Sequence, residues 1–213
     1  MKNLFKYASE HWKALLAIVA ILIVQAYCDL SLPAYTSDIV NVGIQQGGVE
    51  DHIPDAISAE DMETLLLFTS EKDGKTVLSA YEKDDKTYEE QAYVLKDTVK
   101  EKLSGILAAP MMMAAGFESG SDMTADIEEQ LKAQLPPEMI SEDMTVLDIL
   151  KMMPQEQKQA FVSEIEKKTE ELPDTITEQA AVNYVKEAYA DLGIDMDELQ
   201  FRYLFSTGAK MIG

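Results

Sequence analysis

Residues Ala14 to Tyr35 read ALLAIVAILIVQAYCDLSLPAY, with Asp29 the only charge in the run. No other feature constrains the fold as tightly. At about 1.5 Å per residue the run reaches roughly 33 Å as a helix, and a bilayer core is about 30 Å thick. Lys2, Lys6 and Lys13 precede it, and lysine ahead of a span holds that flank in the cytoplasm. The reading is a transmembrane helix with residues 1–13 inside, an outer extension to residue 47, and the bulk of the chain outside. A cleavable signal peptide is the competing reading, with the lysines as n-region, Ala14–Val24 as h-region and Val24-Gln25-Ala26 as the processing site. Against it, the sequence stays mostly apolar after Ala26 through Leu32, Pro33, Ala34 and Tyr35, where a processed protein usually turns polar.

Inside the run, Asp29 would cost about 2.5–3.5 kcal/mol if it faced lipid at the helix centre. It is expected at the outer interface, with a place on a transport path as the sharper reading. Pro33 lacks an N–H and clashes with the preceding turn, which predicts a kink or break. Gly43, Gly47 and Gly48 close the segment. Cys28 is the only cysteine, so no intramolecular disulfide can form.

Charge is distributed unevenly. Residues 48–200 hold 36 of the 39 acidic side chains and 13 of the 18 basic ones, so this segment is more negative than the whole chain at −21. Such a surface repels nucleic acid and anionic headgroups, and no nucleic-acid partner is expected. His11 and His52 are the only histidines, too few for a His-rich zinc site or for much acid–base chemistry near neutral pH.

From 49 to 200 the pattern is mainly helical. Ser58 with Asp61 resembles a capping box opening a helix through Leu65 to Phe68. Asp73-Gly74 reads as a turn, Thr76–Tyr81 as a strand, Lys83–Lys86 as a second turn and Tyr88–Leu95 as the partner strand, together a small β-hairpin. Helical spacing returns over Asp97–Ala115, carrying Val99, Leu103, Ile106 and Leu107 on one face, with Pro110 a kink point. Gly116 and Gly120 bound a loop. Further helices are expected over Ala125–Leu135, ahead of Pro136-Pro137, from a Thr145/Asp148 cap through Met153, over Gln155–Leu172 and over Thr175–Leu192. The fold class is mainly α: one N-terminal transmembrane helix, an acidic extracellular helical domain at 48–198 with that hairpin, and the start of a second transmembrane helix.

The second membrane helix is read from the last fifteen residues, LQFRYLFSTGAKMIG, which are apolar-rich with aromatics and Arg202 at their start. They suit an approach from the interface but are too few to span.

Chemistry has little to work with. Met111-Met112-Met113 is better read as core filling than as a thioether metal site. Asp195-Met196-Asp197-Glu198 and Glu71-Lys72-Asp73-Gly74 lack the ligand order of a calcium loop. Carboxylate pairs at Glu89-Glu90, Glu128-Glu129 and Glu170-Glu171 are unremarkable in so acidic a chain. Ser9, Ser31 and Ser37 lie in no nucleophile elbow. No catalytic residue, metal ligand or cofactor site is expected. Asp29, Pro33, Asp38 and Gly43 stand out as structural or transport-path positions.

LLAIVAILIVQAYCDLSLPAYTSDIVNVGIQQGG and the terminal RYLFSTGAKMIG together resemble the first and second membrane helices of an ATP-binding-cassette exporter of the multidrug/peptide type, as found in anaerobic Gram-positive bacteria. In that family the first helix commonly ends in a proline followed by a D-I-V-N-x-G-I segment, here Pro33 and Asp38 to Ile44. Some members carry a large extracellular insertion between helices one and two, which corresponds to 49–198. The resemblance implies six membrane helices, a cytoplasmic nucleotide-binding domain, and work as a homo- or heterodimer. It implies ATP and Mg only for a full-length relative, since no GxxxxGK[ST] loop is present here. By that reading this chain is not itself an enzyme but an N-terminal fragment or separately encoded piece of a permease that translocates substrate. The alternative is a signal-anchored or secreted acidic helical binding module.

Overall fold

The computed structural model describes residues 11–88, 91–96, 100–120, 122–133 and 144–212. Lys2, Lys6, Ser9, Glu89-Glu90, Val99 and Pro136-Pro137 lie outside the described residues. The fold is mainly α-helical with one small antiparallel sheet. Two compact units divide the chain, one comprising residues up to Gly48 together with those from Gln200 on, the other Val49–Leu199.

In the first unit, helix α1 (Trp12–Asp38) continues directly into a π-helical segment, Ile39–Gln45. Together they form a helix of 34 residues, whose most apolar stretch has a mean hydropathy of 2.2 and is nowhere buried. Leu30 is 79% exposed and Ile21 65%. A helix that is apolar all round belongs either in a protein core or in a membrane. This one is long and apolar enough to cross a membrane, and it is the only such helix among the described residues.

Pro33 does not break it. The Ser31 and Thr36 hydroxyls on either side donate to the carbonyls of Tyr27 and Leu32, each at 2.8 Å, and one missing backbone bond in so long a helix is absorbed by the turns around it. Wider winding sets in after Asp38, where the Gln46 N–H reaches five residues back to the Asn41 carbonyl at 2.9 Å. The helix ends at Gly47 and Gly48, with φ of 64° and 87°, a left-handed conformation natural to glycine.

The second unit is built on strands β1 (Ala56–Ser58), β2 (Tyr81–Asp84) and β3 (Ala92–Leu95), with β3 central and both neighbours antiparallel to it. Ala56 pairs with Val94, and Tyr81 with Leu95. Between β1 and β2 run α2 (Ala59–Leu67) and α3 (Glu71–Ala80). The Ser58 cap forms as read, its hydroxyl accepting from the Asp61 N–H at 3.0 Å. The stretch read as a turn and a strand is a correction, because Asp73 to Ala80 is helical. Ser70 caps this helix by accepting from the Asp73 N–H, and Val77 and Ala80, one turn apart, both enter the core. The strand begins only at Tyr81. Asp84 ends it by accepting from the N–H groups of Lys86 and Thr87.

Helix α4 (Lys100–Glu118) passes through Pro110 unbroken and includes Gly116, which is therefore no loop boundary. It forms the main helix pair with α8 (Asp174–Asp191). Around them lie α5 (Asp122–Ala133), α6 (Val146–Met152) and α7 (Gln155–Glu170). Thr145 and Asp148 make the reciprocal cap of α6. Met111, Met112 and Met113 are all in the core, where unbranched side chains fill irregular space between helices. Two phenols, one from β2 and one from α8, bond to the segment before β1: Tyr81 donates to the Pro54 carbonyl at 2.9 Å, and Tyr189 accepts from the Asp55 N–H at 2.8 Å. Gly193, with φ of 73°, ends α8. Asp195 then opens α9 (Met196–Ile212) by accepting from the N–H groups of Asp197 and Glu198.

Candidate functional site

The residues singled out in the first helix fall into two places. Asp29 and Pro33 lie one turn apart, both exposed, in the C-terminal half of α1. Because Pro33 brings no N–H to the Asp29 carbonyl, backbone acceptor and carboxylate coincide there. Among the described residues no donor or cation reaches the Asp29 carboxylate. Asp38 is the last residue of α1, about 180° around the helix from Asp29 at 100° per residue.

Gln25 and Thr36, which sequence reasoning passed over, complete the feature. Counting about 100° per residue, Asp29 and Thr36 fall within about 40° of Gln25 around the axis. The spacing of 25, 29 and 36 was visible in the sequence, but only once the helix was known to run unbroken past Pro33. The result is a narrow polar stripe on an apolar rod. Several polar side chains of the rod bond internally: Ser31 and Thr36 to carbonyls of the previous turn, and the Asn41 amide to the Ser37 hydroxyl at 3.1 Å. Such self-satisfaction lets hydroxyls sit in an apolar medium, and Asp29 is the charged member of the stripe that makes no such bond.

Gly43 occupies the second place. It is buried in the π-helical segment, and its carbonyl accepts from Gln200 Nε2 at 2.7 Å. A Cβ there would lie 2.4 Å from Leu204 Cδ2 and 3.5 Å from Tyr203 Cδ1. Only a glycine permits this approach of the α9 side chains to the backbone. On the other side of that part of α9, Phe201 and Phe205 stack on each other at 6.1 Å while both remain exposed.

In the second unit, carboxylates converge from three helices: Glu60 and Asp61 of α2, Glu118 at the end of α4, and Glu187 and Asp191 of α8. The Tyr184 hydroxyl faces Asp61 at 3.5 Å. Although Glu118 is exposed at the chain surface, loss of water around its carboxyl and then repulsion from Asp61, Glu187, Asp191 and Glu60 push its pKa up to about 7. Burial above all, and then repulsion from Asp191 and Glu60, raises Asp61 too, against the lowering effect of the Ser58 and Tyr184 hydroxyls. No spacing rule brings residues 61, 118 and 191 together, so this cluster was not legible beforehand. Among the described residues no group of three or more His, Cys, Asp or Glu has the geometry to hold a metal ion.

The cluster sets a pH dependence. Between the ordinary glutamate value and about 7, folded Glu118 keeps a proton that the unfolded chain has released. Stability therefore falls as pH rises through that window. After discounting for solvent screening, the Glu118 contribution is roughly 1 kcal/mol, or about 2–4 °C in melting temperature. Glu118→Gln is expected to raise the melting temperature of the full chain at pH 8 and flatten its decline between pH 5 and 8. An unchanged profile would remove the cluster as its cause.

Comparisons with protein families, with curated proteins and with solved structures find no match.

Proposed function

We propose that this chain is the transmembrane and outer portion of an ATP-driven exporter permease of the ATP-binding-cassette type, contributing to substrate translocation across a cell membrane. In this reading α1 crosses the bilayer with its N-terminus in the cytoplasm, residues 48–198 lie outside, and α9 from about residue 199 begins a second membrane helix. One observation carries the proposal. The two stretches that resemble such a permease, Asp38–Ile44 and the terminal RYLFSTGAKMIG, are the two that meet at Gly43, Tyr203 and Leu204. Close backbone approach through a small residue is how membrane helices associate, since lipid supplies no hydrophobic drive between them.

The stripe of Gln25, Asp29 and Thr36 then faces the remaining membrane helices of the assembly, where an ionisable side chain finds protein or water in place of lipid. The partners are those helices and a nucleotide-binding domain, in a homo- or heterodimer, with ATP and Mg bound on that domain. Crosslinking in native membranes followed by purification in detergent tests this. The expected result is an associated ATPase activity and an intact Met1 by mass spectrometry. A mature N-terminus just after Ala26, with no ATPase attached, would leave instead the anchored or secreted acidic binding module.

A further inference from the structure

The second unit contains a cleft of about 580 Å³, walled by α3, α4, α7 and α8 and the turn before α3. Its buried hydroxyls are of one kind, with the Ser104 hydroxyl lying exposed beside them. Thr69, Thr169 and Thr177 are more than nine-tenths buried. Each hydroxyl donates its proton to a carbonyl three or four residues back: Thr69 to Leu65 at 2.7 Å, Thr169 to Ile165 at 2.9 Å, and Thr177 to Asp174 at 3.0 Å. What these hydroxyls can still offer is lone pairs.

Asp73, Glu166, Asp174 and Glu178 add four carboxylates to the wall, and no basic side chain is among the described lining residues. Pro110 also lines the cleft and brings no N–H to the carbonyl of Ile106, another lining residue four positions back. The site thus accepts hydrogen bonds and attracts positive charge. Ile106, Ala108 and Ala109 supply an apolar stretch beside these acceptors.

We infer that this cleft binds a small organic cation whose ammonium groups are joined by methylene chains, a linear alkyl polyamine being the matching class. The ammoniums meet the carboxylates and hydroxyl lone pairs, and the methylenes lie along the Ile106–Pro110 wall. The volume is in the range of sites that enclose a small ligand. The inference concerns the second unit alone and does not depend on the membrane reading, so either can fail without the other.

Calorimetric titration of the full chain in detergent with spermine tests it, at about 0.15 M salt to suppress diffuse attraction to the acidic surface. Saturable binding at a single site is expected. Gly105, in the wall, has nothing within 4 Å of where a Cβ would sit. Gly105→Trp therefore fills the cleft without altering its charge and is expected to weaken binding by about tenfold or more, while Gly105→Ala keeps it within about twofold. Glu178→Gln, at an exposed position, is the second variant and should weaken binding by about threefold or more. Hexaamminecobalt, which has charge and N–H donors but no methylenes, should bind more weakly than spermine. Equal spermine affinity in Gly105→Trp, equal affinity for the two cations, or binding that never saturates would each overturn the assignment.

Discussion

Phe68→Ala is expected to destabilise the Val49–Leu199 unit by about 3–5 kcal/mol, the usual cost of emptying a buried aromatic site. Phe68 is 2% exposed and stacks on Phe117 with ring centroids 5.5 Å apart and planes 6° from parallel. That contact joins the end of α2 to the end of α4. Its loss removes apolar burial and opens a cavity between helices that the sheet and α8 hold in place, so collapse is limited. A domain of this size has a total stability of about 5–15 kcal/mol, so the variant should lose much of its margin. Near-ultraviolet circular dichroism of the tyrosines during urea titration of the full chain in detergent measures it. Leu78→Ala, at a position 42% exposed, is the control and should stay within about 0.5 kcal/mol.

The parts of this unit legible in the sequence are those decided within one turn. Ser58 with Asp61 and Thr145 with Asp148 cap helices as read, because a side chain three residues ahead of an N–H makes that bond whatever surrounds it. Thr76–Tyr81 misled because its β-branched and aromatic residues suit a strand in isolation. The Ser70 cap and the burial of Gly74, Val77 and Ala80 on one side decided for a helix. Strand β1 was missed for the opposite reason. Three residues carry almost no local signal, and its partner Ala92–Val94 lies far along the chain.

Legibility at the candidate site divides the same way. Asp29 and Pro33 announce themselves inside an apolar run. The contact at Gly43 needs Gln200 and Leu204, and the Glu118 cluster needs three helices, so neither could be read from spacing.

Gly43→Leu is expected to separate the π-helical segment from α9. The introduced side chain overlaps Leu204 from its Cβ outward, and the Gln200 bond to the Gly43 carbonyl must lengthen. Overpacking of this kind costs about 1–3 kcal/mol, with loss of the amide–carbonyl bond adding about 1 kcal/mol. The variant should melt earlier in detergent and, under the exporter function proposed above, lose most export in cells. Gly43→Ala, whose single methyl meets mainly the movable end of Leu204, should fall between the two. If Gly43→Leu matched the parent in both measurements, the close approach at Gly43 would have no functional weight.

The central claim is that the Trp12–Gln45 helix crosses a membrane and sets the acidic unit on its outer face. Labelling of single cysteines in intact cells with a membrane-impermeant maleimide tests this most directly, with Cys28 first replaced by serine. The account predicts that Ser119→Cys, in the exposed turn after α4, is labelled from outside, while Asn3→Cys reacts only after lysis, and that carbonate washing leaves the protein in the membrane pellet. Labelling of Asn3→Cys alone from outside, or recovery of the unprocessed chain in the soluble fraction, would contradict it.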